Sequence, residues 1–437
     1  MGLFDVFRKV PPPADPAVLQ RIADLAAEND LRMVAELLSF LPPPTSPYGA
    51  AAALAVEGLV DAASPEEVAA FDQWYRERTY TGVGSVPRPS WDSMQLGRLD
   101  SWTRQYPATV AIATCHRNGF VRQKAVELLA ESHDGAELPF LLVRLNDWVA
   151  PVRAAAQSEV RARVTVVYAA RWVSCLELLD RVRLGRRGDH AWLGAAVEGL
   201  LRRDDARVAL EAGLVGGTRG VRRACVRIAA GLTDSTRLLS LALRDADPIT
   251  SGEAANVLCR SLDADALREA LDVMQHGNTR ARCLALDTWC DRIPQDAEPH
   301  LRAALLDSAT SVRELARFRG QRLGLVAVEF RTYYREQLEA QTGELFITAL
   351  RGLAETGTVD DVPLFLQYIA HPRGRVREAA ILGLGRCDGQ KHAEVLMGAL
   401  GDSNLRVVKA ARRYARLYLG RGAVPKRAWT KKPRGCG

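Results

Sequence analysis

The stretch "HPRGRVREAAILGLG" at residues 371–385 sets two guanidiniums, Arg375 and Arg377, around a valine, a composition suited to holding an anion. A larger basic set stands near the C-terminal end. Lys409, Arg412, Arg413 and Arg416 follow helical spacing, and Lys426, Arg427, Lys431, Lys432 and Arg434 come after them with Trp429 interleaved. Cations with an aromatic among them suit a nucleic acid or another anionic surface. Of the net charge of +7, residues 421–437 alone supply six basic side chains and no acid, so the rest of the chain is close to neutral. The plainer reading is a solvated outer helix face followed by a disordered basic tail.

Other reactive residue types are present without the spacing that chemistry needs. The seven histidines, His116, His133, His190, His276, His300, His371 and His392, form neither an HExxH motif nor a pair at ligand spacing. The eight cysteines (Cys115, Cys175, Cys225, Cys259, Cys283, Cys290, Cys387 and Cys436) contain no CxxC, and most sit inside apolar helical runs. They read as small buried thiols of a reducing compartment. Cys283 and Cys290 lie on one helix face without an adjacent third ligand. The glycines of "GLVGGTRG" at 213–220 lack the Gly-Lys-Ser/Thr ending of a phosphate loop. Gly82 and Gly84, in the long loop "TYTGVGSVPRPSW", are not preceded by a strand. No cofactor and no metal are expected.

The elements that carry the arginines explain more than the arginines alone. Each recurs beyond a turn with Asp, Gly or Pro and is followed about three residues later by alanine, as in "NGFVRQKAVELLA", "DWVAPVRAAA", "GTRGVRRAC", "GNTRARCLA", "SATSVRELA" and "PRGRVREAA". The marker positions are Arg122, Arg153, Arg222, Ser251, Arg282, Arg313, Arg377 and Val408, and most neighbours are 29 to 31 residues apart. The two wide gaps each hold one more unit, near Trp192 and near Leu345, and about eight residues are inserted after the second marker. Each period contains two amphipathic helical stretches with Asp, Ser or Thr before starts and Gly after ends. One such hairpin cannot bury both apolar faces, so neighbours must stack into a solenoid. The arginines Arg122, Arg153, Arg222, Arg282, Arg313 and Arg377 are thus expected to form a structural ladder with acids or carbonyls of adjacent turns. Arg375 recurs only as Arg280 and Arg406 and remains the surface candidate.

The pattern resembles the HEAT-repeat family, specifically its short bacterial HEAT-like repeats. The family's Asp-x-Asp-Pro turn is seen as Asp245, Asp247 and Pro248, and its Val-Arg and alanine as Val376, Arg377 and Ala380. The resemblance implies an all-α fold: a right-handed α-solenoid of about ten helical hairpins over residues 107–420, with a concave face that binds other macromolecules. It transfers no catalytic residue. Residues 1–106 read instead as an N-terminal helical cap. Asp15-Pro16 opens one helix, a second begins at Leu31, a third spans about Gly49 to Asp61, and Ser64, Pro65 and Glu67 form a capping box for a fourth.

The expected function is a non-catalytic scaffold or adaptor that binds protein partners along its concave face. An alternative is a nucleic-acid-associated protein that attaches through the basic C-terminal helix and tail. A remote third reading comes from the HEAT-like alkylpurine DNA glycosylases, whose concave face supplies tryptophan, aspartate and arginine. Asp147, Trp148, Arg153 and Trp192 are the nearest such set, but the near-neutral body offers duplex DNA little attraction. No apolar window reaches the length of a membrane span, and "MGLFDVFRKVPPP" lacks a secretory core, so a cytoplasmic protein is the expectation.

Overall fold

The computed structural model describes residues 14–41, 48–81, 107–185, 187, 190–324 and 329–420. Among the described residues there are helices and no strand, as the richness in alanine, leucine and arginine favours. No described helix is long and apolar enough to cross a membrane. The long loop from Thr79 to Trp91 and the basic tail lie largely or wholly outside the described residues. The chain divides between Ala242 and Leu243 into two compact units.

The first unit opens with α1 (Pro16–Ala27), α2 (Val34–Leu37), α3 (Gly49–Ala62) and α4 (Pro65–Thr81). Asp15 caps α1 by accepting the N–H of Ala17 at 2.9 Å. Ser64 and Glu67 close a reciprocal box at the start of α4, with the Ser64 N–H 2.8 Å from the Glu67 carboxylate and the Glu67 N–H 3.3 Å from the Ser64 hydroxyl. Ten further helices follow: α5 (Pro107–Ala113), α6 (Gly119–Leu128), α7 (Leu138–Arg144), α8 (Ala150–Ala162), α9 (Ala169–Ser174), α10 (Leu176–Arg183), α11 (Ala191–Leu201), α12 (Arg207–Gly216), α13 (Arg219–Ala229) and α14 (Thr236–Ala242). Helix α3 packs on α5, α5 on α6 and α6 on α8, while α4 and α10 both pack on α7. The first four helices therefore share a compact unit with the early repeats.

The second unit comprises α15 (Pro248–Ser261), α16 (Ala264–Gln275), α17 (Thr279–Arg292), α18 (Ala297–Ala304), α19 (Thr310–Arg322), α20 (Phe330–Ala340), α21 (Gly343–Thr356), α22 (Val362–Tyr368), α23 (Gly374–Asp388), α24 (Ala393–Gly398) and α25 (Leu405–Leu419). Its odd-numbered helices stack in chain order, and each even-numbered one packs against the helix that follows it. This is the two-layer arrangement of an α-solenoid. Buried alanine and leucine fill the contact between layers, as with Ala380, Leu384, Leu396 and Ala411, all fully buried. Each buried leucine contributes about 1.5–3 kcal/mol of transfer free energy. Gly385 lets α23 and α25 close up, because a Cβ there would overlap the Tyr414 ring.

Candidate functional site

The six arginines of the expected ladder all occupy the fourth position of their helices, in α6, α8, α13, α17, α19 and α23. In each, Nη1 donates back to a carbonyl of the turn just left: His116 for Arg122 (2.9 Å), Asp147 for Arg153 (2.6 Å), Gly217 for Arg222 (2.9 Å), Gly277 for Arg282 (2.7 Å), Asp307 for Arg313 (2.5 Å) and His371 for Arg377 (2.8 Å). The other edge of the guanidinium reaches forward to the next turn in Arg122, Arg282 and Arg377. Arg122 meets Asp147 with two bonds of 2.8 Å, Arg282 meets Asp307 at 2.7 and 2.9 Å, and Arg377 meets Asp402 at 2.7 and 2.8 Å. Each partner lies 25 residues ahead, in the next turn.

The same aspartates set the geometry of their own turns. Asp147 accepts the N–H of Val149 at 2.9 Å, Asp307 that of Ala309 at 2.7 Å and Asp402 that of Asn404 at 2.7 Å. One carboxylate thus fixes a turn while one guanidinium ties the preceding turn to it. Where the preceding fourth position is not arginine, the turn residue changes. Phe346 holds that place in α21, and the next turn carries His371, whose Nδ1 accepts the N–H of Arg373 at 3.1 Å. Ser251 holds it in α15, and the next turn carries His276, with Asn278 donating to the Ser251 hydroxyl at 2.8 Å. Arg313 precedes the turn at Thr342 and pairs instead with Glu355 at the far end of α21.

In the first unit the ladder merges into a buried charge cluster. Arg144 donates to the Thr114 carbonyl at 2.8 Å and to Asp147 at 3.1 Å, and it also pairs with Asp72 of α4, which in turn holds Arg76. Burial pushes the Asp147 carboxyl upward, but the Arg122 hydrogen bonds and the Arg144 charge outweigh it and leave the pKa below the ordinary carboxylate value. At Asp402 the Arg377 hydrogen bonds dominate and lower the pKa directly.

These commitments decide the set Asp147, Trp148, Arg153 and Trp192. The Asp147 carboxylate is fully buried between two guanidiniums, so it has no access to a water or a sugar. Arg153 is turned to the Asp147 carbonyl. Trp148 lies half-exposed with the Arg122 guanidinium 5.5 Å from its ring centre, and Trp192 faces Arg161 at 3.9 Å. Arg375 is not a free surface cation either, because its Nη1 meets Glu344 of α21 at 2.5 Å. A cleft of about 400 Å³ in the first unit is lined in part by Glu66, Glu177, Asp180 and Arg227; Glu177 and Asp180 are similarly engaged, while Oε1 of Glu66 is buried without a hydrogen-bond partner among the described residues. Glu177 accepts the Val221 N–H at 3.1 Å, and Asp180 takes Arg227 at 3.3 Å. Among the described residues no group of three or more His, Cys, Asp or Glu side chains is placed to hold a metal ion. Desolvation raises the buried thiols, Cys115 and Cys175 to about 12, so they are poor nucleophiles.

The basic helix α25 is organised differently. It contains no acid, and Arg406, Lys409, Arg413 and Arg416 are exposed, with Arg412 partly covered. Among the described residues none of these five makes an ion pair, and Arg413 lies 5.5 Å from the Tyr414 ring centre. Arg406 joins the set although the sequence places it outside, and its spacing of three from Lys409 is the signal. Lys426, Arg427, Lys431, Lys432 and Arg434 lie outside the described residues.

Residues 335–415 match the family model described as HEAT repeats. This segment carries HEAT repeats. The match takes in the end of α20 and runs through most of α25, including the Arg377–Asp402 pair. No curated protein matches the chain. The stacking of helical pairs gives the turn arginines a structural role in tying successive turns together.

Proposed function

We propose that the HEAT repeats form a non-catalytic scaffold that binds protein partners, with residues 1–106 capping the array and 421–437 appended as a basic tail. The carrying observation is the commitment of the turn charges to one another while large apolar side chains stay outside. Phe120 is 71 % and Trp148 50 % exposed, at the start of α6 and in the turn before α8, where the Gly119 backbone approaches Val149. Exposed aromatic side chains are the kind that anchor protein interfaces. The test is affinity capture from the native cell with wild-type protein and with the Phe120→Ala/Trp148→Ala variant. A partner recovered in stoichiometric amount by the first and lost by the second, at unchanged melting temperature, supports the reading. Equal recovery by both would remove these aromatics from it.

A second reading, association with nucleic acid, is favoured by one specific observation, the unpaired cations of α25. Its test is the salt dependence of duplex binding, since a phosphate-driven complex weakens steeply as salt rises.

A further inference from the structure

We propose that the exposed face of α25 is a docking surface for the phosphate backbone of a nucleic-acid duplex, made by Arg406, Lys409, Arg413 and Arg416; this rests on the second reading above. The four are separated by three, four and three residues. At 100° per residue they fall within an arc of about 80°, and at 1.5 Å per residue they span about 15 Å of helix. Over that length each strand of a duplex presents about four phosphates. The cation row and the anion row therefore match in number as well as sign.

Among the described residues elsewhere in the second unit, several arginines are met by acids of the neighbouring helix, although others, such as Arg260 and Arg280, are exposed without one. Arg319 bonds Asp287 at 2.7 Å and Asp291 at 2.8 Å, Arg351 bonds Glu378 at 2.7 Å and Arg375 bonds Glu344. The α25 row has no such acid. Four like charges on one face repel each other, a cost that a polyanion relieves.

An anionic membrane fits less well. A helix that lies in a bilayer surface needs a free apolar face to insert. In α25 that face, with Val407, Val408, Ala411, Tyr414 and Ala415, is already buried, leaving scattered leucines such as Leu417 in solvent.

The experiment titrates the full chain against a fluorescent duplex between about 50 and about 200 mM salt. Wild type is compared with Arg406→Gln/Lys409→Gln/Arg413→Gln/Arg416→Gln, with the milder Lys409→Gln/Arg416→Gln, and with a full-length tail variant carrying Lys426→Gln, Arg427→Gln, Lys431→Gln, Lys432→Gln and Arg434→Gln. Four phosphate contacts contribute a slope of about −3.6 in log affinity against log salt, so they weaken binding about 100-fold over that range. The quadruple variant should lose this part of the slope and bind at least tenfold more weakly at low salt, with an unchanged melting temperature. The double variant should lose half of the slope, and the tail variant should keep it. Wild-type binding by the quadruple variant would overturn the α25 assignment and leave the nucleic-acid reading standing. Failure of wild type to bind duplex at low salt would remove both. Capture of phosphatidylserine vesicles or polyglutamate by wild type, lost in the quadruple variant while duplex binding persists, would transfer the face to a membrane or an acidic protein and also overturn the proposal.

Discussion

A guanidinium at the fourth position of a helix can satisfy two turns at once because its donors point along two edges. Arg377 uses one edge on the His371 carbonyl and the other on both Asp402 oxygens. Replacing it with alanine leaves the partly buried Asp402 carboxylate with only the Asn404 N–H and takes the guanidinium from the His371 carbonyl, at a cost of about 2 kcal/mol. Arg122 and Asp147 are fully buried, so Arg122→Ala should cost more, about 3–5 kcal/mol. Denaturant unfolding of the two variants checks the order, and equal losses would contradict it. A pH series separates the charge from the packing. The Asp402 pKa is lowered in the folded chain, so its contribution is present above the ordinary value near 3.8 and is lost as pH falls through the lower folded value. Arg377→Ala should therefore differ most from wild type near neutrality and converge with it in acid; a constant gap across the series would mean that packing alone is responsible. The recurrence of these arginines is legible in the sequence because the repeat spacing displays it. Their acids are less so, since the turns hold several carboxylates and periodicity does not say which one a guanidinium faces. Arg163 falls outside the marker positions, yet it is buried among Glu137 at 2.7 Å, Glu159 at 2.9 Å and the carbonyls of Leu129 and Ser132.

At the scale of the element, local chemistry and tertiary contact divide the work. Caps are local, and the starts of α1 and α4 follow from Asp15 and from Ser64 with Glu67. The segment from Leu31 to Phe40 reads as one helix, but it folds as 3-10, α and 3-10 turns in succession. Its apolar residues Leu31, Val34, Leu37 and Leu38 are buried, so packing rather than propensity sets its winding. Helix–helix approach is also tertiary, and glycine shows it. Gly352 lies inside α21, where a Cβ would overlap the Tyr334 ring of α20, whereas nothing stands within 4 Å of the Cβ position at Gly199 in α11. Helix propensity alone favours alanine at both sites by about 0.5–1 kcal/mol. Gly199→Ala should accordingly raise stability by that amount, while Gly352→Ala should lower it by about 1–3 kcal/mol through overpacking. Thermal melts of the two single variants decide the matter, and a stabilised Gly352→Ala would show that α20 and α21 have room to part.

For the molecule as a whole, the repeat period implies that stability is assembled from neighbours. A ladder bond joins one turn to the next, and in the second unit the helices pack on those one or two places along the chain. A lesion should then loosen its own neighbourhood first. Arg122→Ala cuts the tie between the turns that precede α6 and α8, so amide exchange should quicken in α5 to α8 and stay near wild type in α21 to α25. Arg377→Ala should give the reverse, with faster exchange in α23 to α25 and little change in α5 to α8. Native-state hydrogen exchange resolved by peptide reads both variants in one format. Uniform acceleration across the chain in either variant would mean that the array opens as a single cooperative body, and the turn arginines would then be contributors to one global stability instead of local clasps. Localised exchange would carry a functional consequence for a scaffold: a partner that stiffens one group of repeats would leave distant repeats free to engage a second, because coupling between them decays with each neighbour it must cross.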